Sequence, residues 1–197
     1  LARAALVICV AALAASPAFA EHKNFEGNKK AVLYFGSAPK IDGDFSDWEG
    51  LEGSSTEKIV FDGNRPANEG LGFFALRSDN KSLFVYADVY DTTAHEVDLP
   101  APIAWRDDSV EVFLGTTTSR HEKFEKDDNH IRIVPVSRAD KFAFSLSVND
   151  VEVTDQCTAA VVYNDHGYTI EAQIPLGLLL IKKFSPNQKL RAEFQVN

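Results

Sequence analysis

Short runs in which apolar and polar residues strictly alternate, each closed by turn-forming residues, constrain this chain more than any other feature. Leu83, Val85, Ala87 and Val89 share one face of an extended segment, and Phe84, Tyr86, Asp88 and Tyr90 share the other. The same period of two sets Phe142, Phe144, Leu146 and Val148 against Ala143, Ser145 and Ser147. It sets Tyr168, Ile170, Ala172 and Ile174 against Thr169, Glu171 and Gln173, and Leu190, Ala192, Phe194 and Val196 against Arg191, Glu193 and Gln195. Successive side chains of a strand point to opposite faces, so each run lays one apolar face on a core. Further strands are expected at 32–35, 58–61, 71–77, 110–114, 131–136 and 159–163. The segments between runs (Asp-Gly, Ser-Asp-Asn, Asn-Asp, Asn-Asp-His-Gly) carry hairpin chemistry. One short helix-like stretch, 176–183, follows Pro175. Many short strands and little helix predict an all-β fold: an antiparallel β-sandwich, immunoglobulin-like or jelly-roll-like.

Composition bounds the class. The 197 residues are 45% hydrophobic and include 14 Phe, enough for one sizeable core and too few for an obligatory second domain. A formal net charge of −9 argues against nucleic acid or an anionic membrane as partner, because both select a clustered basic face. Residues 1–20 read as a signal peptide: a small-apolar run from Ala4 to Ala15, then Ala18-Phe19-Ala20 as an A-x-A cleavage site. The run is too short and Ala-rich to span a membrane, so cleavage leaves a domain at 21–197 with no membrane insertion, secreted or otherwise placed in the periplasm or outside the cell. Cys9 falls in that segment, and Cys157 alone has no partner for a disulfide; it reads as a buried small apolar residue. The chain stops at Asn197 within or just after a strand, from which an incomplete C-terminus and covalent neighbour domains are expected.

The residues that carry chemistry are concentrated in WRDDSVEVF, 105–113. An indole precedes a strand that begins among carboxylates and carries a glutamate. A sugar's apolar C–H face stacks on such a ring, and its hydroxyls take hydrogen bonds from charged groups. The run HEKFEKDDNH, 121–130, with His121, Glu122, Asp127, Asp128 and His130, reads as a solvated loop rather than a metal site. Asp42, Asp44 and Asp47 read as an acidic turn, since Asp47 stands where an EF-hand loop requires Gly; a structural calcium is left open, and no other cofactor is expected. There is no Gly-x-Ser-x-Gly, phosphate-binding glycine loop or His-Glu-x-x-His, so no catalytic residue is assigned, although Asp107, Asp108 and Glu111 are the carboxylates a glycosidase would need. The absence of Met speaks against a haem-binding sandwich with a Met axial ligand.

Four motifs in order, KIDGDFSDW (40–48), LFVYADVYD (83–91), WRDDSVEVF (105–113) and GYTIEAQIP (167–175) followed by RAEFQVN (191–197), resemble the family 9 carbohydrate-binding modules and their DOMON-like sandwich relatives. The resemblance implies a non-catalytic module that grips a polysaccharide or oligosaccharide between aromatics, over polar residues on the strand floor. Carried over by position, it marks Trp105 as the stacking aromatic, Glu111 as the strand glutamate, Arg132 as the basic residue of the following strand and Gln195 as a polar residue of the last strand. It marks Trp48 as structural. A second clamping aromatic is expected beyond Asn197. Alternation agrees, placing Glu111 opposite Val110, Val112 and Leu114, and Arg132 opposite Ile131 and Ile133; a plain cross-strand ion pair is compatible with the same placement. The alternative functions are an accessory domain of a glycoside hydrolase and a purely structural sandwich joining domains of a surface protein.

Overall fold

The computed structural model describes residues 33–56, 70–92, 108–117 and 125–197. Residues 1–20, the strand expected at 58–61, Trp105, Asp107, His121 and Glu122 lie outside them.

Among the described residues, eleven strands build two facing sheets. The first holds β1 (Leu33–Phe35), β2 (Ser54–Ser55), β3 (Leu71–Ser78), β4 (Ser82–Tyr90), β9 (Thr158–Asn164) and β10 (Gly167–Pro175). Its order is β1-β3-β4-β10-β9, with β2 also on β3. The second runs β11-β5-β6-β7-β8, from β5 (Val110–Gly115), β6 (Asp128–Pro135), β7 (Phe144–Val148), β8 (Val151–Glu152) and β11 (Arg191–Val196). Every pairing is antiparallel except β1 on β3.

Register turns the alternating runs into a core. Leu76, Val85, Ala172 and Ala159 form one transverse row of the first sheet. Val112, Ile131 and Val148 form a row of the second, with Val110, Ile133 and Leu146 beside it. All are buried in one cluster between the sheets, each large side chain contributing about 1.5–3 kcal/mol by leaving water. Phe74 and Phe194 stack at 4.7 Å and join the sheets at the β3–β11 side.

The outer face of the first sheet carries a second, smaller core. Phe84, on the face opposite Leu83 and Val85, is fully buried with Ala75 and Trp48. Segment 41–51 roofs it: Asp44 caps the short 3-10 turn Phe45–Trp48 by accepting from the Ser46 N–H, and Trp48 stacks on Tyr86 at 5.4 Å. Beneath it, Glu171 is 0% exposed. One of its oxygens accepts the Asp42 and Gly43 amides at 2.6 and 2.5 Å, and the other accepts Trp48 Nε1 at 3.2 Å. Burial raises this carboxyl above the usual range despite those three donors, and the nearby Asp42 charge adds to the effect. Trp48 is a structural residue.

Four local expectations differ from the structure. Among residues 176–183 only Leu176–Leu179 coil, as one 3-10 turn that Leu180 ends in the left-handed region at φ 53°; the turn has no side-chain cap at its start. Phe142 is outside β7 and 49% exposed, because the Asp140 carboxylate accepts the Phe142 amide and bends the chain before the strand begins. β6 starts at Asp128, so part of the charged run 121–130 is strand rather than solvated loop. Asp128 is buried there because Arg191 Nη2 (2.5 Å) and the Glu125 amide (2.9 Å) satisfy its carboxylate. Cys157 is half-buried rather than enclosed, and burial pushes its thiol up to about 11.

Candidate functional site

Strand parity and register together collect polar side chains on the outer face of the second sheet. Gln195, Glu111, Arg132, Ser147 and Glu152 stand in one row across β11, β5, β6, β7 and β8. Two residues along each strand, Glu193, Phe113 and His130 make the next row. The opposite parity of the same strands fills the core, so this face cannot slip without exposing Val112 and Ile131.

Glu111 is the centre. Its side chain is 5% exposed, yet Oε1 accepts Arg132 Nε at 2.8 Å and Asn197 Nδ2 at 2.9 Å, and Oε2 lies 2.8 Å from His130 Nε2. Burial pushes the carboxyl up, but the hydrogen bonds and charges of His130 and Arg132 outweigh it and hold Glu111 below the usual carboxylate range. An ion pair this buried costs desolvation and persists because both oxygens are satisfied. Arg132 also reaches toward exposed Asp150, 3.5 Å from Nη1. Asn197 Nδ2 also donates to Ser109 Oγ (3.0 Å), just before β5, and its Oδ1 accepts from Gln195 Nε2 (2.7 Å).

Of the four residues assigned from sequence, the structure therefore brings together Glu111, Arg132 and Gln195; Trp105 is outside the described residues. The assignment missed His130, Phe113 and Asn197. Phe113 stacks flat on His130, 4.4 Å between ring centres and 7° between planes. The signal was present in the parity: Phe113 and Glu111, His130 and Arg132, and Asn197 and Gln195 are each two residues apart.

At the opposite sheet, the carboxylates of Asp42, Asp44 and Asp47 accept the backbone amides of Asp44, Ser46 and Lys40. Among the described residues no three His, Cys, Asp or Glu side chains gather as a metal site.

Among the described residues, the first sheet thus has a roofed outer face, and the second carries a polar row centred on an oriented carboxylate–guanidinium pair. Residues 41–197 match the model of the carbohydrate family 9 binding domain-like family, and the protein belongs to that family of non-catalytic carbohydrate-binding modules. Among solved structures it is similar to a family 9 carbohydrate-binding module from Caldicellulosiruptor kristjanssonii in complex with cellotriose. The TM-score is 0.58 at 22% identity, covering 85% of this chain and 76% of that one. The same module in complex with glucose matches with the same score and identity, over 85% and 78%. At this identity the likeness is one of fold. No curated protein matches the chain.

Proposed function

We propose that this domain holds a glycan on the outer face of the second sheet, as the carbohydrate-binding part of an exported protein. The observation that carries the reading is the row Gln195–Glu111–Arg132: a buried, ionised acceptor fixed beside a guanidinium, on a face with neighbouring amide side chains. Sugar hydroxyls both donate and accept, and charged partners make the stronger hydrogen bonds. Arg132 has five N–H groups, of which Nε is given to Glu111. Trp105, four residues before Ser109 in the chain, is the proposed stacking platform for the sugar's apolar face.

The ligand class follows from the chemistry of this face, which offers hydrogen bonds to neutral hydroxyls rather than a basic cradle for phosphate or sulfate. The relatives' complexes make cellotriose and glucose the first probes. Export rests on the signal-like segment 1–20. The test is isothermal titration of cellotriose, xylotriose, mannotriose and glucose into the protein, with affinity electrophoresis on polysaccharides. Binding that is lost in Trp105→Ala and weakened in Glu111→Gln supports the reading. A folded protein that binds none of them leaves the structural sandwich as its function.

A further inference from the structure

We propose that His130 is a positioning residue of this face: its Nε2–H fixes the second oxygen of Glu111, so that the carboxylate meets a sugar hydroxyl in one orientation. The inference rests on the glycan-binding reading above and adds to it a residue that stacks no sugar itself.

The geometry is that of a three-point clamp. A carboxylate's terminal torsion is broad, and each oxygen that a donor holds narrows it further. Arg132 and Asn197 both bind Oε1 and restrict that torsion from one side; His130, 2.8 Å from Oε2, holds the other oxygen. An ionised carboxylate is an acceptor only, so the imidazole nitrogen facing it carries the proton. Glu111 is held in that ionised form by its two cationic-capable neighbours.

His130 is in turn immobilised. Phe113, its register partner on β5, lies against the ring at 4.4 Å. The backbone on the other side is tied to the β7–β8 turn: the His130 amide donates to Asn149 Oδ1 at 2.8 Å, and its carbonyl accepts the Asn149 amide at 2.8 Å. Ring, carboxylate and guanidinium thus form a support whose members fix one another's rotamers. A binding group held by its neighbours loses less freedom when ligand arrives, and affinity rises accordingly.

The test compares the parent with His130→Gln, which keeps a donor near the Nε2 position, and His130→Phe, which keeps the ring against Phe113 but removes the donor. Each is titrated with cellotriose, or with whichever member of the panel binds most tightly, and its melting temperature is measured. His130→Phe should lose about tenfold in affinity, the size of one hydrogen bond to a charged group, and His130→Gln should recover most of it. Should His130→Phe fail to fold, His130→Ala carries the same comparison. Parent-like affinity in His130→Phe overturns the inference, as does equal loss in both variants, which would mark the ring as shape alone. In those cases the parent still binds glycan and the proposed function stands; a parent that binds no glycan removes both.

Discussion

Glu111 and Arg132 face each other in register on antiparallel β5 and β6, with Nε 2.8 Å from Oε1, on the outer face of the second sheet. On the proposed reading this pair forms the polar floor under a sugar. Trp105→Ala should then lose on the order of 1–3 kcal/mol of glycan binding, the scale of a truncated aromatic anchor, with the melting temperature near that of the parent. Glu111→Gln and Arg132→Ala should each weaken binding, and the double variant should lose less than their sum, because both act on one floor. Titration calorimetry on the four proteins checks this; strict additivity would separate the two residues.

Acid should act on the same pair with a definite sign. Glu111 is held below the usual range, so the stability it contributes is present above the ordinary Glu value of about 4.3 and lost as pH falls through its lowered value. Urea unfolding from pH 6 to about pH 2.5 should show the parent's advantage over Glu111→Gln shrinking in that acid window. An advantage that stays constant would mean that the ion pair contributes nothing linked to protonation.

Glu171 should behave in the opposite sense. Its carboxyl is raised, so its contribution is fully present below the ordinary Glu range and diminishes as pH rises through the raised value. At neutral pH, Glu171→Gln should still cost about 1–3 kcal/mol, because the amide turns an N–H toward Trp48 Nε1 and leaves a buried donor unsatisfied. Pairing it with Trp48→Phe should recover part of that loss in the double-variant cycle, read by chemical denaturation.

Gly167 opens β10 at φ 153°, where an added Cβ would run into the Val89 carbonyl oxygen and the Asp91 amide. Those atoms belong to the backbone of β4 and of the residue that follows it, and have no flexible end to move aside. Gly167→Ala should therefore destabilise by more than about 1 kcal/mol, measured as a lowered unfolding midpoint. Gly50, with open space around its Cβ position, shares a positive φ of 74° and should cost less.

Export is tested at the other end of the chain. Mass spectrometry of the secreted protein should find Glu21 or a near neighbour as the first residue, and an exported chain still carrying Leu1 would contradict the signal assignment.

The period-two pattern made the inner faces legible because a strand's parity is a local property: Leu83 to Val89 and Tyr168 to Ile174 needed no knowledge of their partners. The pairing of Glu111 with Arg132 was legible for the same reason. What alternation does not reveal is which outer face becomes roofed. Phe84 and Tyr86 read as the other side of β4, and only the distant segment 41–51 converts them into a second core. The early start of β6 was hidden because Asp128 and Asn129 are polar yet buried, their cost met by Arg191, some sixty residues on, and by the β5 ladder. His130 was passed over with them.

The roof over the first sheet has a consequence for how the domain can change. With Trp48 and Glu171 securing one side, exposed positions such as Gln195 and Glu193 lie across two sheets packed about 10 Å apart, beyond the range at which substitutions usually couple. On the proposed reading, exchanges at those rim positions would alter glycan selectivity while the fastening at Glu171 stays untouched. Such a division lets one scaffold be tuned to new glycans without being refolded around them.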